Sequence, residues 1–160
     1  NLKRISNYKM EIKNSLTEEE YQIIFSRVPR ICMDFIIVKD NKILLAKREI
    51  NPYKGFWSLP GGMVRYQETI DQASERILKN ELGLAPKNKK VIGYIEFPNE
   101  INKDGIKIHS ISLAFLTTLE DGEIKGSDQA HEIEFFESLP EKTHLEHGQF
   151  LKENLGELIG

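Results

Sequence analysis

The chain reads as an α+β protein, an α/β/α sandwich built on a mixed central β-sheet. Three observations predict this. Strand-like apolar runs interleave with stretches of helical spacing along the whole sequence. Asp40-Asn41 joins two of the apolar runs as a tight turn, so at least one strand pair is an antiparallel hairpin. The 160 residues, 39% of them hydrophobic, suffice for one domain with a real core.

Leu16 to Glu20 opens the first element. Thr17 is placed to accept from the amide of Glu20, whose carboxylate can bond back, and the glutamates Glu18 to Glu20 suit the positive end of a helix. Tyr21, Ile24 and Phe25 continue the helical spacing until Pro29. Ile31 to Lys39 reads as a buried strand and Lys42 to Arg48 as its hairpin partner. Asn51 to Gly62, with two prolines and three glycines, is expected to be a loop holding a short strand at Phe56 to Leu59.

Glu68 to Leu82 is expected to be a helix, ended by Gly83 in a left-handed cap. Strands are expected at Val91 to Phe97 and Lys107 to Leu116, with a polar turn at Asn99 to Gly105. A short strand follows at Glu132 to Phe136, and a terminal helix from Gln149 to Ile159. Residues 16–160 are expected to form a single domain. Residues 1–15 lack the apolar stretch of a signal peptide and read as a flexible segment or an expression remnant, with Met10 as a native start.

Composition narrows function. With 22 basic against 25 acidic side chains, the net charge of −3 argues against a nucleic-acid binder held by phosphate contacts. No run approaches the roughly 20 apolar residues of a membrane span. The single cysteine, Cys32, excludes an internal disulfide and fits a cytoplasmic setting.

The helix after Gly62 carries a chemical signal. Ile70, Ala73, Ile77 and Glu81 form one stripe, ending in a carboxylate where a packing helix would place Leu or Ala. Glu81 either reaches solvent at the helix end or sits beside a cation. Pro60-Gly61-Gly62 offers backbone carbonyls and admits close approach of a ligand. A loop oxygen and one carboxylate, completed by diphosphate oxygens and water, is a common way to hold magnesium.

Gly62, five residues, Glu68, seven residues, Arg76, then Leu78, Glu81, Gly83 and Leu84 resemble the signature of the Nudix hydrolases. The family pattern has glutamates where this chain has Ile77 and Asn80. That depletion resembles the GDP-mannose mannosyl hydrolase subgroup. So do Arg27-Val28-Pro29, Met33-Asp34-Phe35, Leu44 to Arg48, Gly55 to Gly62 and Asp128-Gln129-Ala130-His131-Glu132.

The resemblance implies a Nudix-type sandwich and cleavage of a nucleotide sugar at the sugar C1–O bond. One Mg2+ (or Mn2+) would be held by Glu81, the Gly61 carbonyl and Gln129. His131 would be the general base. Arg48 and Arg76 would hold the diphosphate, Arg65 would stand in for an arginine that is Met63 here, and Asp34 would accept from sugar hydroxyls. Two further departures from the subgroup are Ser110 and Ala130. The resemblance also implies a homodimer, and the first and last helices each offer an apolar face for the contact.

Simpler readings stand beside these. Arg76 can pair with Glu75 or Asp71, Trp57 and Phe56 suit the core, and His109, His144 and His147 are weaker rivals to His131. Two other functions fit as well. One is a Nudix pyrophosphohydrolase attacking phosphorus of ADP-ribose or a nucleoside triphosphate, with Glu132 or Glu134 restoring a base. The other is a catalytically weak nucleotide-sugar binding module.

Overall fold

The computed structural model describes residues 16–49, 53–102, 104–126 and 132–159; the segment 1–15 and the candidates Gln129 and His131 lie outside them. The elements run α1 (Glu18–Phe25), β1 (Arg30–Lys39), β2 (Lys42–Lys47), β3 (Trp57–Ser58), β4 (Gly61–Met63), α2 (Ile70–Leu82), β5 (Pro86–Ile101), β6 (Lys107–Leu119), β7 (Ile133–Phe136) and α3 (Leu145–Ile159). The sheet is mixed, ordered β3-β2-β1-β6-β5, with β4 also pairing β1 and β7 pairing β2. β1 and β6 are parallel, and the other strand pairs are antiparallel.

Two apolar layers explain why β1 is nearly continuous in hydrophobic residues. Met33, Phe35 and Ile37 point to one face and pack with Ala73, Ile77, Leu78 and Leu82 of α2. Ile36 points to the other face, where Phe150 and Leu151 of α3 join the core with Ile43, Leu45, Trp57 and Ile95. The sheet is therefore covered by α2 on one side and α3 on the other. Trp57 belongs to this core, edge-on to Phe136 at 4.7 Å. No helix among the described residues is long and apolar enough to cross a membrane.

Local signals account for the ends of several elements. Thr17 and Glu20 form a full capping box on α1, and Thr69 with Gln72 forms one on α2. Asp40 and Asn41 both adopt positive φ, 51° and 57°, as a two-residue hairpin turn requires. Gly83 caps α2 in the left-handed region at φ 76°.

Two expectations are corrected. β5 extends well beyond Val91 to Phe97, and residues 99–101 of the expected polar turn belong to it. Its polar ends are tolerated because β5 is an edge strand, pairing only with β6. The turn closes at Asn102, whose side-chain oxygen accepts from the amides of Asp104 and Ile106. The last helix starts at Leu145 rather than Gln149. Gly148, a poor helix former, masks this start in the sequence, but its amide donates to the His144 carbonyl.

Candidate active site

On the α3 side of the sheet a cavity of about 280 Å³ opens between β1, β4, β5 and the start of α3. Alternation along β1 aims Arg30, Cys32 and Asp34 at this face, two residues apart each time. β6 contributes Ser110, paired with Arg30, and β5 contributes Phe97, paired with Ser110. Gly61, Gly62 and Met63 form one wall, and Arg48, His144 and His147 contribute to the lining.

The register of β4 on β1 explains the two glycines. Phe35 N–H donates to the Pro60 carbonyl and Val64 N–H to the Ile31 carbonyl. Hydrogen-bonded pairs alternate along an antiparallel ladder, so the Asp34–Gly61 pair between them is a non-hydrogen-bonded one. Gly61 therefore turns its own amide and carbonyl away from β1. Side chains stand closest at such pairs: a Cβ on Gly61 would lie 2.2 Å from Asp34 Oδ1 and 2.5 Å from the Met33 carbonyl oxygen. On the neighbouring position a Cβ would meet Ile77 Cγ1 at 3.3 Å.

Asp34, 7% exposed, faces His147, 6% exposed, with Oδ2 and Nε2 3.2 Å apart. Leu59 N–H donates to His147 Nδ1 at 3.2 Å. His144 stacks obliquely on His147 at 5.1 Å and sits edge-on to Tyr53 and Phe97. Burial pushes its pKa down to about 4, helped by His147 and Arg48, so this ring is neutral at pH 7. Burial likewise pushes the Cys32 thiol up to about 12 and keeps it protonated.

Beside the cavity, Arg76 organises the loop that joins β4 to α2. Its Nε donates to Glu68 Oε1 at 2.5 Å and its Nη2 to Glu68 Oε2 at 2.7 Å and to the Met63 carbonyl at 2.9 Å. Glu68 Oε2 also accepts from Arg65 N–H at 2.8 Å. The Arg76 hydrogen bond holds the Glu68 carboxyl below its usual range. Glu75 pairs instead with Lys79 and Asp71 with Lys89, so neither is the partner of Arg76.

The sequence-derived residues thus divide. Asp34, Arg48 and Gly61 line the cavity. Arg76 is bound into the adjoining loop, and Arg65 is exposed outside the lining. Glu81 is half-buried on α2, one turn beyond Ile77, and is not part of the lining. Glu132 is exposed and pairs with Lys47 at 2.9 Å. Sequence reasoning missed Arg30 and Glu100 and ranked His144 and His147 below His131. For the histidines a signal was present: a spacing of three residues puts both on one face of a helix start.

Among the described residues no group of three His, Cys, Asp or Glu side chains is arranged to hold a metal ion. What is present is a carbonyl turned off the ladder at Gly61 and one carboxylate at Glu81. Two hard oxygen donors of this kind suit a Mg2+- or Mn2+-sized cation that keeps several waters and takes phosphate oxygens as its remaining ligands.

Comparison with known proteins gives a consistent picture. A model of the NUDIX domain matches residues 29–153. The ADP-ribose pyrophosphatase of Methanocaldococcus jannaschii is 42% identical over 127 residues, spanning 78% of this chain and 72% of that protein. The low-salt glycan biosynthesis protein Agl8 of Haloferax volcanii is 30% identical over 131 residues, or 81% and 84% of the two chains. Among solved structures, the MutT NUDIX hydrolase of Burkholderia pseudomallei superposes with a TM-score of 0.70 at 26% identity, covering 81% of this chain and 99% of that one.

Proposed function

The chain belongs to the Nudix family, and from that premise we propose that it hydrolyses the diphosphate of a nucleoside diphosphate joined to a sugar, with ADP-ribose as the representative substrate. The observation that carries this is the meeting, at one cavity, of the Gly61-Gly62 wall with Arg48, Asp34 and a set of sugar-sized polar groups. The 42% identity to an ADP-ribose pyrophosphatase supports attack at phosphorus.

In this reading water adds to a phosphorus atom, the bridging P–O bond breaks, and the proton leaves with solvent or a nearby base. Arg48 binds diphosphate oxygens, where a guanidinium fork gives two parallel bonds. Arg76 acts as a positioning residue: by holding Glu68 and the Met63 carbonyl it fixes the loop behind Gly61-Gly62. Nudix hydrolases generally use divalent metals. Glu81 and the Gly61 carbonyl would hold the cation, which supplies neutralisation of diphosphate charge and polarisation of water. The reading also includes a homodimer in a cytoplasmic setting.

A second reading, cleavage at sugar C1, is favoured by Ile77 and Asn80. Ile77 is 2% exposed and packs under Gly62, and Asn80 is uncharged, so Glu81 stands alone as the acid of this helix segment. Attack at carbon needs fewer carboxylates beside the leaving group, and His131, with Gln129 near the metal, would serve as base.

Hydrolysis in heavy-oxygen water with Mg2+ tests both. Label in a phosphate product supports phosphorus attack. Label in the free sugar, with intact nucleoside diphosphate, supports the second reading, in which His131→Gln abolishes most turnover while leaving affinity nearly intact. Binding without turnover would overturn both in favour of a binding module.

A further inference from the structure

The cavity floor is more elaborate than diphosphate binding requires. Arg30 Nη2 donates to Glu100 Oε2 at 2.7 Å and to Ser110 Oγ at 2.6 Å, and Ser110 Oγ donates to the same Glu100 oxygen at 2.9 Å. Tyr21 from α1 closes the other side of the guanidinium. Glu100 reaches this site only because of a β-bulge. Phe97 pairs with Ser110 and Glu100 with Ile108, so one extra residue is inserted in β5. Without it, strand alternation would turn Glu100 to the face opposite Phe97; with it, both line the cavity.

We infer that Glu100, held by Arg30 and Ser110, is a hydroxyl-recognising subsite for the distal sugar of the substrate, the sugar on the far side of the diphosphate from the nucleoside. This rests on the nucleotide-sugar reading above. Oε2 of Glu100 takes both internal bonds, which leaves Oε1 to accept from a sugar hydroxyl. A second phosphate would fit poorly, because Glu100 and Asp34 offset the charges of Arg30 and Arg48 among the lining groups. A nucleobase would fit poorly too. Phe97 is 7% exposed and is packed against the rings of His144 and His147, so it offers no open face for stacking. A polar, uncharged, hydroxyl-bearing ring matches what is left.

The test is calorimetric titration of the full chain with ADP-ribose and with ADP, in Ca2+, with ligand integrity checked afterwards by chromatography. ADP retains the base, the nucleoside ribose and the diphosphate and lacks only the distal sugar. Glu100→Gln is expected to weaken ADP-ribose by about tenfold and to leave ADP within about twofold. Ser110→Ala preserves the Arg30–Glu100 pair, should show the same split at about threefold, and decides the matter if Glu100→Gln does not fold. Equal weakening of both ligands, or no weakening of ADP-ribose, would overturn the inference. The outcomes are separable: hydrolysis without the split removes the subsite, whereas the split without hydrolysis removes the proposed reaction and keeps the subsite.

Discussion

Replacing Gly61 by alanine should be far more damaging than the same change one residue later. At Gly61 the new methyl would lie 2.2 Å from Asp34 Oδ1 and 2.5 Å from the Met33 carbonyl oxygen. Neither can retreat easily. Asp34 is buried against His147, and Met33 sits in a strand bonded to β4 on one side and β6 on the other. Overpacking against such atoms costs about 3 kcal/mol or more. At Gly62 the methyl meets only the Ile77 side chain, at 3.3 Å, and that chain can shift by a few tenths of an ångström. Alanine also lowers the entropy of the unfolded chain there, so the net change should stay within about 1 kcal/mol. Urea unfolding with unchanged m-values should therefore separate the two variants by about 2 kcal/mol or more. That corresponds to roughly 4–8 °C in Tm for a chain of this size. Adding Asp34→Ala to Gly61→Ala should recover only part of the loss, because the Met33 carbonyl stays in place. If Gly61→Ala proves as stable as Gly62→Ala, the register assigned to β4 is wrong, and with it the outward-facing carbonyl.

Further outcomes follow from the same geometry. Gly83→Ala forces a Cβ residue to φ 76° at the end of α2 and should cost about 1 kcal/mol in chemical unfolding. His144 has a folded pKa below its unfolded value, so the unfolded chain binds the extra proton first. Its stabilising contribution is complete above about pH 6.5 and is lost as pH falls toward 4, on the order of 3 kcal/mol in all. His144→Gln should flatten Tm across that window, and an unchanged slope would contradict a buried neutral ring. Glu68 also has a lowered pKa, so its contribution is present above about pH 4.3 and lost as pH falls through the lower folded value. Glu68→Gln should shrink the acid-side loss of Tm while releasing Arg76 and lowering turnover at neutral pH. Asn80→Glu, at an exposed position, should leave Tm nearly unchanged and tighten the dependence of turnover on Mg2+ if attack is at phosphorus.

Much of the architecture was legible because its causes are local. The Thr17–Glu20 box, the Asp40-Asn41 turn, the helix up to Leu82 and its Gly83 cap each depend on residues within a few positions of one another. The nearly continuous apolar run of β1 likewise announced a strand buried on both faces. The site was legible only in part. Gly61 was singled out from its loop, and Asp34 and Arg48 with the family resemblance; the cavity contains all three. Arg76 was assigned to the diphosphate, and the structure shows its guanidinium bonded to Glu68, eight residues away across a loop, a contact the sequence reading did not name.

The amino-acid order alone determined where α1 and α2 begin, where α2 ends and which residues can bend, because capping, glycine conformation and apolar period act within one or two turns of chain. Only the tertiary structure decided that His147, from the last helix, faces Asp34 from the first strand, and that Glu100 turns into the cavity. Those placements depend on strand register and on a single inserted residue in β5, and register is set by the packing of distant segments on both faces of the sheet.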